Sequence, residues 1–175
     1  LPTMDDSRHM TESSTEHFDV LIVGAGISGI GGAYHLQRDC RDKRFVILDT
    51  MDSFGGTWKT HKYPGIRSDS DLYTFGYGFK PWTGPPIATA KEILDYMGEV
   101  IEENDISSHI RYGHTIETAE WSSEDNQWTL TVRCPGISEP TNFMCGFLWM
   151  CQGYYRHTDP YTPAWPGMDQ FQGTV

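Results

Sequence analysis

No apolar run in this chain approaches the roughly 18–20 residues that a membrane-spanning helix needs. The opening LPTMDDSRHMTESSTEH also has no apolar signal core. Basic side chains are scarce: 13 Lys and Arg stand against 24 Asp and Glu, for a net charge of −11. With no basic stripe to receive a phosphate backbone, nucleic acid is excluded as the main partner. Cysteine is sparse too. Cys40, Cys134, Cys145 and Cys151 form no C-x-x-C pair and have no His at ligand spacing. Zinc or iron–sulfur chemistry is therefore not indicated, and disulfides are not demanded. His35, His61, His109, His114 and His157 are scattered, and none pairs with a nucleophile at a recognisable spacing. There are no internal repeats. What remains is an acidic, soluble domain of cytoplasmic type, and 175 residues suffice for one core. Residues 1–16 are read as a mobile leader or tag, with Met10 a candidate native start, and residues 17–175 as the domain.

The chain is organised around Phe18 to Gly32, FDVLIVGAGISGIGG. Val20, Leu21, Ile22 and Val23 read as a strand buried on both faces, as in the middle of a parallel sheet. Gly24-Ala25-Gly26-Ile27-Ser28-Gly29 ends that strand, and Ile27, Ile30, Ala33, Tyr34 and Leu36 follow at helical spacing. Glycines weaken a free helix by ~1 kcal/mol each relative to alanine, so several at a helix start imply close approach to a strand and a ligand. Phe45-Val46-Ile47-Leu48 reads as a second strand that closes on Asp49, 20 residues beyond Gly29. A G-x-G-x-x-G alone says little. In this context it predicts a dinucleotide site, with pyrophosphate at the helix N-terminus and the acid accepting hydrogen bonds from a ribose.

Downstream, Met51 to Asp71 is rich in turns, and Trp58, Arg67 and Asp69 lie among its glycines. Tyr73, Phe75, Tyr77 and Phe79 alternate as in a strand, an aromatic row read as core or lid packing. Thr89-Ala90-Lys91-Glu92 is a capping box, and Ile93, Leu94, Met97, Val100 and Ile101 form the stripe of a helix ending near Asn104. Short strands are expected over 110–112, 115–121, 128–132 and 143–150, with a turn at 122–126. An antiparallel patch after a strand–helix–strand start is unlike a plain NAD-binding fold.

At this point a family resemblance enters. Gly55-Gly56-Thr57-Trp58, then Tyr63-Pro64-Gly65 and Asp69, match [A/G]-G-x-W-x-x-x-x-[F/Y]-P-G-x-x-x-D at every specified position. The run resembles the class B flavoprotein monooxygenases, and within them the Baeyer–Villiger monooxygenases. YPGIRSDSDLYTFGYGFKPWTG looks most like the subgroup that includes the ethionamide-activating monooxygenase. The resemblance implies an α/β, Rossmann-like FAD-binding domain: a parallel sheet with helices plus an antiparallel β-meander. It implies FAD at Gly24, Gly26 and Gly29, Asp49 at the adenosine ribose and Ser28 near the pyrophosphate. Gly56, Thr57 and Trp58 would line the cofactor, and Arg67, Ser68 and Asp69 would lie where flavin meets the nicotinamide of NADPH. Ile116 matches a position whose backbone meets adenine, and Gly153 the A-T-G-like exit from the first flavin-domain segment. Asp69 is the one catalytic candidate, holding an arginine beside the reacting oxygen.

Two departures stand out. The ribose acid is more often Glu in this family, and Asp49 is one methylene shorter. The chain also carries only the first five positions of F-x-G-x-x-x-H-x-x-x-W-[P/D], in Phe171 to Val175. The second glycine fingerprint, the NADPH domain and the returning half of the flavin domain are therefore expected elsewhere. The expected activity is FAD- and NADPH-dependent oxygenation of a ketone to an ester or lactone through a flavin C4a-peroxide, with sulfur oxygenation as a second outcome. The partners are a small ketone or sulfur-containing substrate, O₂ and the remainder of the same enzyme. An N- or S-oxygenating flavin monooxygenase and a non-catalytic FAD-binding fragment are the alternatives, and a plain NAD-binding module leaves Gly55 to Asp69 without a purpose.

Overall fold

The apolar run before the glycine turn forms strand β1 (Glu16–Val23), in which Leu21 and Ile22 are fully buried. The structure, a computed structural model, describes residues 15–159 and 161–174. The expected leader thus lies outside the described residues as far as position 14, while Glu16 already belongs to β1. Helix α1 (Ile27–Asp39) follows, then β2 (Phe45–Leu48), all four of whose residues are buried. β2 runs parallel to β1, from Val20 opposite Phe45 to Val23 opposite Leu48. The strand–turn–helix–strand unit read from the spacing is therefore present. The single-turn helices α2 (Thr57–Thr60) and α3 (Leu72–Phe75) lead to the long α4 (Ala90–Glu103). A 3₁₀ turn at Ile106–His109 then feeds the short β3 (Ile110–Arg111).

Helix α4 starts as its sequence dictates. The Thr89 hydroxyl accepts from Glu92 N–H at 3.3 Å, and the Glu92 carboxylate accepts from Thr89 N–H at 2.8 Å, so two otherwise orphaned donors are satisfied reciprocally. Its inward residues Ile93, Met97 and Val100 are fully buried, each contributing about 1.5–3 kcal/mol of apolar transfer. The helix ends at Asn104, where the amide side chain donates to the Val100 carbonyl at 2.9 Å.

Strands β4 (Thr115–Ser122), β5 (Gln127–Arg133) and β6 (Thr141–Met150) complete a single six-stranded sheet in the order β3-β2-β1-β6-β5-β4. The antiparallel patch is not a separate layer joined by a linker. β6 pairs antiparallel with β5 over Thr141 to Cys145 and parallel with β1 over Phe143 to Met150. Two apolar clusters result. One packs α1 and α4 against Val20, Ile22, Phe45 and Ile47. The other gathers Leu21, Val46 and Leu48 with Leu130 and Val132 of β5, so the meander covers the opposite face.

The aromatic row overturns an expectation. Tyr73, Phe75, Tyr77 and Phe79 do not form a strand: Asp71 caps α3, its carboxylate accepting from Thr74 N–H at 2.9 Å, and the chain turns at Gly76. Beyond the turn the rings pack on helices. Tyr77 stacks on Phe79 at 4.8 Å between centroids, Phe79 on Tyr34 at 3.5 Å, and the Tyr77 hydroxyl donates to the Ile27 carbonyl at 2.6 Å. Tyr77 and Phe79 stack against α1 while Phe75 packs on Trp58 and Tyr73 stays exposed, and no ladder partner makes the row a strand.

Candidate functional site

The glycine turn is built between four fixed points. Gly24 N–H donates to the Leu48 carbonyl at 2.8 Å, and Cys151 N–H to the Val23 carbonyl at 2.8 Å. Gly55 N–H donates to the Ala25 carbonyl at 3.0 Å, and Ala25 N–H donates to the Asp49 carboxylate at 2.6 Å. Gly24 has φ +103°, and a Cβ there would stand 2.8 Å from the Cys151 carbonyl oxygen. A Cβ on Gly29 would meet the Gly24 carbonyl oxygen at 1.9 Å, so this position must be bare for α1 to leave the strand where it does. Gly26 is different: its Cβ would meet only the Gly56 Cα, at 3.8 Å, and would otherwise point into open space.

That space is a cleft of about 1130 Å³ at the carboxyl ends of the parallel strands, where an open α/β sheet binds its ligands. Its volume exceeds the roughly 300–1,000 Å³ of ordinary small-molecule pockets and suits a two-part nucleotide. Gly26 opens α1 with no side-chain cap, and no acidic residue occupies the first turn. The first N–H groups of the helix are thus left for an anion, and the dipole favours one. Donor set, bare backbone and size all fit a dinucleotide.

Of the residues singled out in the sequence, Gly24, Gly26, Ser28, Asp49, Gly56, Thr57, Trp58, Ile116 and Gly153 line this cleft. Gly29 sits behind it, in the contact between helix and strand. Trp58 packs edge-on against Phe75 at 6.0 Å. Asp49 is buried, and its second oxygen accepts from Met51 N–H at 2.8 Å. The other three stand outside the lining. Ser68 is buried and its hydroxyl accepts from Ala88 N–H at 3.1 Å, while the exposed Arg67 donates through Nε to the Gly65 carbonyl at 3.1 Å. Asp69 is exposed. Tyr155, which lines the cleft, has its phenol raised above its usual range by the hydrogen bond with Tyr154 first and by the Asp69 charge among the lesser causes.

Sequence reasoning missed Thr50, His114, Trp149, Tyr154, Tyr155 and His157, which also line the cleft. The two tyrosines directly follow Gly153, so an extension of that motif would have found them. His157 could not be found this way: it meets His61 with ring centroids 5.0 Å apart, a contact made only by the fold. Cys151 also lines the cleft, but burial raises its thiol pKa, as burial pushes Cys145 up to about 11, so neither is a ready nucleophile. All four cysteines are free thiols. Among the described residues no group of three or more His, Cys, Asp or Glu could hold a metal ion, and no helix is long and apolar enough to cross a membrane.

A strand, a bare glycine turn, an uncapped helix start and a buried acid at the second strand's end define a dinucleotide-binding protein of Rossmann type. Accordingly, a family model described as an NAD(P)-binding Rossmann-like domain matches residues 22–97. Over 162 residues the chain is 49% identical to the FAD-containing monooxygenase EthA of Mycolicibacterium smegmatis, covering 92% of this chain and 32% of that protein. It is 45% identical to the protein of the same name in Mycobacterium tuberculosis, covering 92% and 33%. Among solved structures, an oxidised steroid monooxygenase bound to NADP superposes with a TM-score of 0.72 at 27% identity, over 90% of this chain and 30% of that one. Over the part it spans, the chain is thus similar to FAD-containing monooxygenases in sequence and to an NADP-bound steroid monooxygenase in fold. It spans about a third of the length of the curated relatives it matches.

Proposed function

We propose that residues 17–175 are the N-terminal segment of the FAD-binding domain of a cytoplasmic, FAD- and NADPH-dependent Baeyer–Villiger monooxygenase. The observation that carries this reading is the join between its two motifs: Gly55, which opens the G-G-x-W run, donates its N–H to Ala25 inside the glycine turn. A plain NAD-binding module has no use for that join. When bound, FAD supplies the electron transfer from NADPH to O₂ that lets one oxygen atom pass to a ketone or to sulfur.

The chain's own residues bind and orient. Gly24, Gly26 and Ser28 would hold the pyrophosphate at the start of α1, with Gly29 keeping that helix in place. Ile116 would meet the adenine, Asp49 the adenosine ribose, and Gly56, Thr57, Trp58 and Gly153 would line the flavin half. Trp58 and the exposed Tyr155 stand among the aromatic residues along the cleft. Ser68 fixes the loop from inside through Ala88, leaving Arg67 and Asp69 exposed beside it, and this loop would face the junction of flavin and nicotinamide. The Asp69 carboxylate would hold an arginine supplied by the remainder of the enzyme and keep its charge available to the reaction.

The test uses the full-length protein with NADPH, O₂ and a cyclic ketone, and reads lactone. Lactone is expected. Sulfoxide from a thioether with no lactone from any ketone would instead assign N- or S-oxygenation. Asp69→Ala is expected to slow lactone formation about a hundredfold while leaving the FAD dissociation constant within about twofold. Equal turnover in the two forms would remove Asp69 from the reaction.

A further inference from the structure

Helix α1 starts without a side-chain cap, because its N-cap residue, Gly26, has no side chain. Gly29, Gly31 and Gly32 lie inside the same helix, and each loosens it relative to alanine. One bond secures this start from another side. The Tyr77 hydroxyl donates to the Ile27 carbonyl at 2.6 Å, and Ile27 is the first residue of α1 and lines the cleft. The ring enters where Gly31 has no side chain: a Cβ there would stand 2.9 Å from Tyr77 Cε1. Tyr77 is held in turn by Tyr96 of α4, whose hydroxyl accepts from Tyr77 N–H at 2.8 Å and donates to the Lys80 carbonyl at 2.6 Å. Burial first, then the neighbouring Tyr96, raises the pKa of the Tyr77 phenol against a smaller opposing effect of the Gly31 N–H, so the hydroxyl remains a donor.

We propose that Tyr77 is a positioning residue for the pyrophosphate: it fastens the first turn of α1 through a carbonyl and leaves the N–H groups of that turn free to face the cleft. The inference rests on the FAD reading above. A side-chain cap would tie the same turn by occupying the donors that a phosphate needs. A carbonyl has two lone pairs, so Ile27 can accept from Tyr77 and keep its helical partner, the N–H four residues on. That N–H belongs to Gly31, whose missing side chain also admits the ring. Without the hydroxyl the turn frays, and a bound anion has to order it, which lowers affinity. A ligand without phosphate does not draw on the turn and is indifferent to the loss.

The experiment titrates full-length apoprotein with FAD by flavin fluorescence, and with ADP and adenosine by competition. Tyr77→Phe keeps the ring and removes the hydroxyl. It is expected to weaken FAD and ADP alike, about three- to tenfold, the worth of one hydrogen bond, and to leave adenosine within about twofold. A purely structural loss would lower urea stability without changing the ratio of ADP to adenosine affinity. Hydrogen exchange of the apoprotein supplies a reading that needs no ligand: the Gly31 N–H, whose helical acceptor is the Ile27 carbonyl, should exchange about three- to tenfold faster in Tyr77→Phe. Gly31→Ala should push the ring from its seat and weaken FAD to the same degree, and the double variant should lose no more than either single one. An ADP affinity that Tyr77→Phe leaves unchanged, an adenosine affinity that falls with it, unchanged Gly31 exchange, or losses that add in the double variant overturns the proposal. Should Gly31→Ala fail to fold, or adenosine bind too weakly to compete, the ADP affinity and the Gly31 exchange in Tyr77→Phe still decide it. Wild-type protein that binds neither FAD nor ADP would overturn the cofactor reading instead.

Discussion

Gly26 and Gly29 look interchangeable in the motif and are opposite in role. At Gly29 a methyl group would lie 1.9 Å from the Gly24 carbonyl, which belongs to backbone and cannot step aside. Gly29→Ala is expected to cost about 3 kcal/mol or more of stability and to abolish FAD binding with it. At Gly26 the added methyl would meet nothing nearer than 3.8 Å, so Gly26→Ala should fold with stability within about 0.5 kcal/mol of wild type. It should nevertheless lose FAD, because the methyl occupies the cleft. Urea unfolding alongside a flavin titration separates the two. Loss of stability at Gly26, or retained FAD affinity at Gly29, would contradict the assignment of ligand contact to one and helix packing to the other.

Among the elements, those with local causes were legible in the sequence. β1, α1 and β2 announce themselves by apolar runs broken at glycines, and α4 by Thr89 and Glu92 at its start. The strands β4, β5 and β6 were also readable, from alternation and the turn at 122–126. Pairing was not legible, since nothing in the residues of β6 says that it borders β1 as well as β5. The same holds for Asp49 and Ala25, for His61 and His157, and for Tyr77, whose hydroxyl reaches back 50 residues to Ile27. Each is a contact across the chain, and spacing carries no register.

One such contact has a pH signature. Glu16 at the start of β1 takes a two-pronged bond from Arg111 of β3, at 2.5 and 2.8 Å, and this bond holds its carboxyl below the ordinary value of 4.5. A carboxyl depressed on folding contributes stability above its unfolded pKa and loses it as pH falls through the folded value. Both side chains are about a third exposed, so screening limits the pair to about 1 kcal/mol. Glu16→Gln should therefore lower urea stability by about 1 kcal/mol at pH 7, and the gap from wild type should close as pH drops below about 4.5. A gap unchanged at pH 3 would mean the pair contributes by packing alone.

For the molecule as a whole, the cleft is the place where stability and function meet. A cofactor that binds only the folded chain stabilises it by mass action, by about 2.7 kcal/mol at a hundred times its dissociation constant. Full-length apoprotein should accordingly melt at a higher temperature with added FAD, and Asp69→Ala should show the same gain as wild type. A gain missing only in Asp69→Ala would make that residue a flavin ligand. The floor of this cleft, at Val23 and Leu48, and the wall from Ile116 to Leu130 belong to one sheet because β6 serves both sides.

That shared strand limits how the chain can be lengthened. Phe143, Met144 and Cys145 are paired with β1 on one side and β5 on the other. One residue added there could keep register with only one neighbour, and a slip of one turns every side chain of the strand to the wrong face. The exposed Pro135 to Glu139 loop has no such double obligation. Length differences between descendants of this chain should collect in that loop, while β6 keeps its residue count.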